Sequence, residues 1–136
     1  MARKKSFKIV SASTEYAADL VALYQDFHPQ TRESRADLER WLALVVWSRS
    51  DWLLLAYDDA QGKSVGFVHA TVQVLPGELG KQVTVEELYV NASMQGRGVG
   101  KAFFDEIRER CRADKDVKVL QIRAPRGSDQ DPTAFY

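Results

Sequence analysis

The chain is poor in the residues from which cross-links and metal sites are made. Among 136 residues there is one cysteine, Cys111, and two histidines, His28 and His69. A single thiol excludes a disulfide within the chain and fits a reducing, cytoplasmic setting. So few sulfur and imidazole ligands make no zinc cluster, and no metal is expected. Net charge is lacking too: 19 Lys plus Arg balance 19 Asp plus Glu. That balance argues against a global field for nucleic acid or an anionic membrane surface. No apolar run approaches the ~20 residues of a membrane span. The basic start, Met1-Ala2-Arg3-Lys4-Lys5, has no apolar core behind it and is not a signal peptide. There is no repeat, low-complexity tract or splitting linker. The length suits a single domain over 1–136 that buries roughly two-thirds of its unfolded surface.

What is present alternates between strand-like and helix-like stretches. Phe7 to Val10 reads as a strand. Ser13 or Thr14 can cap a helix running through Gln25, with Ala17, Leu20, Leu23 and Tyr24 at helical spacing. His28 to Thr31 breaks the pattern. Ser34 to Ser48 gives a second helix with Leu38, Trp41, Leu42, Val45 and Val46 on one stripe. Trp52 to Tyr57, Ser64 to Leu75 and Lys81 to Val90 read as three strands joined by turns, an antiparallel meander. Ala102 to Cys111 is helical. Val117 to Ile122 is a last strand, parallel to its predecessor by the rule for β-α-β connections. The expected fold is α/β (α+β), a mixed, largely antiparallel sheet with helices on both faces.

The most informative stretch is Gln95-Gly96-Arg97-Gly98-Val99-Gly100, which joins a strand to a helix. Glycines at alternate positions let the backbone approach a ligand closely. The helix that follows aims its first free N–H groups and its positive dipole end into the loop. Such an arrangement cradles phosphate. Arg97 and Lys101 oppose the dipole at that end and suit a bound anion. A Walker A loop would need Gly at Gln95 and Ser or Thr at Ala102; a dinucleotide fingerprint starting at Gly96 would need Gly at Lys101. Both fail. The remaining pattern, Gln/Arg-x-x-Gly-x-Gly/Ala, resembles the GNAT superfamily of N-acetyltransferases. Glu86-Glu87-Leu88-Tyr89-Val90-Asn91 looks like that family's central strand, and Ala102-Phe103-Phe104 like the start of its cofactor helix.

The resemblance implies that Gln95 to Lys101 (Gln95, Gly96, Arg97, Gly98, Val99, Gly100, Lys101) hold the pyrophosphate of acetyl-coenzyme A. It also implies that backbone amides of Leu88, Tyr89 and Val90 meet the thioester and pantetheine arm where the strand splays. Amine acetylation needs an uncharged amine, a polarised carbonyl and a proton for the departing thiolate. Glu86 and Glu87 are the candidate base. They alternate sides in a regular strand, so at most one faces the cleft, and a bulge there would blur which one; the resemblance favours Glu86. Phe135-Tyr136 is similar to the family's Phe-Tyr pair, which makes the Tyr136 phenol the candidate acid. Asp129 stands where the family often has Asn. Relatives continue past the position of Tyr136 into one or two further strands, which this sequence lacks. An uncovered edge at Val119, Leu120 and Ile122 would then favour a homodimer.

Other conspicuous residues carry plainer readings. His28 reads as a surface-loop histidine in the region where the family gathers its acceptor. His69 reads as a hydrogen-bonded structural histidine, Cys111 as core-facing, and Trp41, Trp47 and Trp52 as packing residues. The sequence thus points to an acetyl-coenzyme A-dependent N-acetyltransferase acting by direct attack in a ternary complex. Its acceptor would be an amine of a small molecule or peptide. The alternative is a non-catalytic module of the same fold that binds acyl-coenzyme A or a protein partner.

Overall fold

The computed structural model describes residues 7–30, 32–48, 50–77 and 80–123. Five strands form one sheet in sequence order: β1 (Phe7–Ser11), β2 (Asp51–Asp58), β3 (Lys63–Leu75), β4 (Gly80–Val90) and β5 (Val117–Ile122). Neighbours are antiparallel except β4 and β5, which run parallel. Between β4 and β5 the chain crosses over as helix α3 (Val99–Ala113), while α1 (Ala17–Phe27) and α2 (Arg35–Trp47) lie between β1 and β2.

Side chains alternate across the sheet and feed two cores. One holds Leu54, Ala56, Val68, Ala70, Val83, Val85, Leu88 and Val90 against Val99, Phe103, Phe104 and Ile107 of α3. The other holds Leu53, Leu55, Phe67 and Tyr89 against Leu20 and Leu23 of α1 and Leu42 and Val45 of α2. Helices thus cover both faces, as expected. In α3, Val99, Phe103 and Ile107 recur every four residues on the buried side, and complete burial of a side chain such as Phe103 is worth about 2–3 kcal/mol. Its outer side carries short-range ion pairs, Lys101 with Asp105 and Arg110 with Glu106. Gly66 lets β3 pass beneath this helix: a Cβ there would sit 2.8 Å from the Tyr89 carbonyl oxygen and 3.3 Å from the Phe103 ring.

Two details differ from expectation. A 3-10 turn over Thr14–Tyr16 precedes α1, so the cap position falls on Tyr16 with no side-chain cap bond. Ser13 lends its backbone carbonyl to Tyr16 N–H at 3.0 Å, closing that turn instead of capping the α-helix. Trp47 does not pack: it is 82% exposed at the end of α2. The stripe of α2 stops at Val45 and Val46 because Trp47 lies on the helix's outward side. Ser34 does cap α2, in a reciprocal pair of bonds with Asp37.

Candidate active site

The register of β4 explains the site. Residues Lys81 to Val85 pair with Val117 to Ile122 of β5. Beyond Val85 the residues Glu87 to Val90 have partners only on the β3 side among the described residues. On that side the register skips one residue: His69 faces Glu87 while Ala70 faces Val85. Glu86 is the bulged residue, and the burial pattern agrees. Val83 and Val85 point into the α3 core, then Leu88 and Val90 do, so the parity changes across Glu86.

The bulge settles which carboxylate goes where. Glu87 shares the α1 and α2 face with Tyr89, and its Oε2 lies 2.8 Å from His28 Nε2. Glu86 is instead aimed at Arg123, with 3.6 Å between charged atoms. Placement therefore puts Glu87, not Glu86, on the face that α1 and α2 cover. His28 is no isolated surface residue. It follows the last residue of α1, stacks on Phe27 at 4.3 Å between ring centroids, and approaches Tyr24 at 4.7 Å. Burial raises the Tyr24 pKa, with Glu87 and then Glu33 adding to the rise. Burial also raises that of Tyr89, helped by Asp26. Both phenols stay neutral near pH 7. No local signal marks Tyr24 and His28 as site residues; they share one helix face at four-residue spacing, but only the fold brings that face to β4.

At its end β4 passes through a short 3-10 turn, Ala92–Met94, into the glycine loop. A cleft of about 500 Å³ opens here, lined by Val90, Met94, Gln95, Gly96, Gly98, Val99, Gly100 and Lys101. The Gln95 side chain donates to the Val90 carbonyl at 3.1 Å and ties the loop to the strand. Gly96 and Gly98 have φ of 79° and 86°, a region that favours glycine. Gly98 occupies the N-cap of α3 and offers no side chain to cap it, and the first turn holds no acidic residue. The contrast with α2 is informative, since Ser34 and Asp37 satisfy that helix start internally. The opening amides of α3 are left facing a cleft, which fits a pyrophosphate. Arg97 is exposed on the loop and does not line the cleft; Lys101 lines it while paired with Asp105 at 3.1 Å. Tyr136 and Asp129 lie outside the described residues.

The remaining polar groups sit apart from the loop. His69 bonds Asp51 at 2.7 Å as a buried structural pair would. Cys111 packs at the margin of the α3 core, where burial and Asp114 raise its thiol pKa, the reverse of nucleophilic activation. Among the described residues no three His, Cys, Asp or Glu side chains gather as metal ligands would, and no helix is long and apolar enough to cross a membrane.

Comparison with known proteins gives the same fold. The ribosomal-protein-alanine N-acetyltransferase of Brucella melitensis biovar Abortus 2308 superimposes with a TM-score of 0.79 at 22% identity, over 96% of this chain and 88% of that one. Glucosamine-6-phosphate N-acetyltransferase from Arabidopsis thaliana gives 0.76 at 12% identity, covering 90% and 84%. An aminoglycoside acetyltransferase from an uncultured soil metagenomic sample, in complex with sisomicin, gives 0.76 at 16%, covering 91% and 81%. No curated protein sequence matches the chain. The model of the acetyltransferase (GNAT) family, whose members typically use acetyl-coenzyme A, matches residues 18–136. With the bulged β4 and the uncapped glycine loop ahead of α3, that match establishes that the chain belongs to the GNAT acetyltransferase family.

Proposed function

We propose that this protein transfers the acetyl group of acetyl-coenzyme A to an amine by direct attack within a ternary complex. One observation carries the reading: β4 bulges at Glu86 and runs into a loop whose helix amides have no side-chain cap. In this reading the amides of Gly98 to Lys101 hold the donor's pyrophosphate, with Gln95 fixing the loop. The β4 backbone of Leu88, Tyr89 and Val90 supplies N–H groups to the thioester carbonyl and pantetheine arm.

The chemistry required of the protein is modest. A lysine-like amine has a pKa of about 10.4, so only about one molecule in a thousand is uncharged near pH 7.4. Glu87, held by His28, takes the surplus proton directly or through water; Glu86 is the second candidate. The amine nitrogen then bonds to the acetyl carbon, the carbon–sulfur bond breaks, and the thiolate takes a proton. We assign that last proton to the phenol of Tyr136, which Tyr136→Phe would test.

The acceptor is a small-molecule or peptide amine. Alanine of a ribosomal protein, glucosamine 6-phosphate and an aminoglycoside, named for the similar structures, form the natural panel. Steady-state thiol release from acetyl-coenzyme A against that panel and simple diamines is the test. Turnover with any of them supports the reading. Coenzyme A binding without turnover on any amine would favour the non-catalytic module. The lone, buried-side thiol of Cys111 suits the cytoplasmic setting proposed for this reaction.

We also propose a homodimer. Among the described residues β5 is an edge strand, with Leu120 and Ile122 37% and 39% exposed, and such an edge invites pairing. Light scattering at several concentrations should give twice the mass of the chain; a strict monomer would refute the edge argument.

A further inference from the structure

The sheet face beneath α1 and α2 carries a line of titratable side chains. Asp51 starts β2, His69 lies in β3, Glu87 in β4, and His28 closes α1. His69 Nε2 is 2.7 Å from Asp51 Oδ1, and His28 Nε2 is 2.8 Å from Glu87 Oε2. The two bonded pairs are neighbours, because His69 is the direct cross-strand partner of Glu87, immediately before the register shift. Phe67 and Tyr89, two positions away on each strand, belong to one apolar cluster, so His69 and Glu87 share its face. Side chains directly opposed on one face have Cβ atoms about 5 Å apart. Trp41 of α2 sits edge-on to the His69 ring at 5.7 Å and 89°.

This pair is costly to keep where it is. The side chains of His69 and Asp51 are only 11% and 20% exposed. A buried polar pair adds little stability compared with apolar residues of similar volume. The bulge at Glu86 is what brings Glu87 opposite the imidazole. With regular pairing beyond Val85, Glu86 would stand opposite the imidazole and Glu87 would turn toward the α3 core.

We propose that Asp51 and His69 are positioning residues for Glu87: Asp51 fixes the imidazole, and the imidazole faces the carboxylate from β3 while His28 holds it from α1. The inference rests on Glu87 as the base. With Asp51 ionised, the pair carries one negative charge while His69 is neutral and none once it is protonated. The first state favours proton uptake by Glu87 and the second opposes it, so the charge on the pair bears on how readily Glu87 accepts the acceptor's proton. Among the described residues, the other titratable groups around the carboxylate are His28 and Tyr24 of α1, with Glu33 acting on Tyr24.

The chain has only two histidines, so both imidazoles can be followed by NMR through a pH titration of the intact protein, with no acceptor required. In Glu87→Gln, both titration midpoints should move to lower pH, each corresponding to a loss of proton affinity of roughly twofold or more. Movement of His28 alone would overturn the inference. In turnover assays, His69→Gln should lower kcat about tenfold, displace the acidic limb of the kcat/KM profile, and leave the KM for acetyl-coenzyme A nearly unchanged. Added to Glu87→Gln, the same change should have no further effect. Asp51→Asn should reproduce the displacement more weakly. If Glu87→Gln is impaired while His69→Gln follows the parent at every pH, the positioning role falls and the base assignment stands. If Glu87→Gln keeps full turnover, both fall.

Discussion

The phosphate cradle can be tested with a single methyl group, provided backbone strain is separated from ligand contact. Gly98 has a φ of 86°, and a Cβ built there meets no atom within 4 Å. Gly98→Ala therefore causes no clash within the protein, but it places an L-residue in a left-handed conformation at a cost of roughly 1–2 kcal/mol. For a chain of this length that lowers Tm by about 3–8 °C. Gly62 supplies the matched control. Its φ is 64°, its Cβ would also meet nothing within 4 Å, and it lies in the β2–β3 turn without lining the cleft.

Both variants should lose comparable stability, and only Gly98→Ala should lose coenzyme A. The methyl would stand between the loop backbone and the pyrophosphate, where the amides of α3 must come within hydrogen-bond distance. An affinity loss of about tenfold or more, equivalent to about 1.4 kcal/mol, is the expected size. Calorimetric titration with coenzyme A reads the affinity, and thermal unfolding of the same samples reads the strain. If Gly98→Ala shows the Tm loss yet binds coenzyme A like Gly62→Ala, the pyrophosphate is not held at this helix start.

The remaining predictions address the base, the packing and the buried acid. Glu87→Gln should lower turnover by about a hundredfold to ten-thousandfold with cofactor affinity unchanged, and Glu86→Gln should do much less; a pH–rate profile in which Glu86→Gln is the damaged variant would reverse the assignment. Gly66→Ala should destabilise the fold by about 1–3 kcal/mol, because its methyl would meet the Tyr89 carbonyl oxygen at 2.8 Å; an unchanged urea midpoint would show that β3 and α3 separate freely. Asp51 feels burial, which pushes its carboxyl up, but hydrogen bonds from Ser48 and His69 outweigh it and leave the pKa below the ordinary value. Its stabilising contribution is thus present above about pH 4 and lost as the pH falls through the lowered folded pKa. Asp51→Asn should be less stable than the parent at pH 7, with the gap closing in acid; a gap independent of pH would refute this.

The parts of this fold that a reader of the sequence can find are those whose cause is local. Val117–Ile122 announces itself by composition, and the glycine loop by Gly96 and Gly98, whose left-handed backbone a sharp turn requires. The start of α1 is less legible, since Ser13 and Thr14 favour a cap and a tight 3-10 turn about equally. Trp47 reads as core because tryptophan usually is, yet its position on α2 turns it outward. The phase of Glu86 and Glu87 belongs to neither residue. It is set by how β4 registers against β3, where His69 takes Glu87 and Ala70 takes Val85. His28 lies 59 residues from Glu87 along the chain, and nothing near either of them specifies that they meet. The proposed donor side is one continuous segment and can be read from it, whereas the proposed acceptor side is assembled from α1, β2, β3 and β4. A bulge of one residue decides which carboxylate joins that assembly, so the chemistry of the site depends on a pairing that strand alternation alone does not reveal.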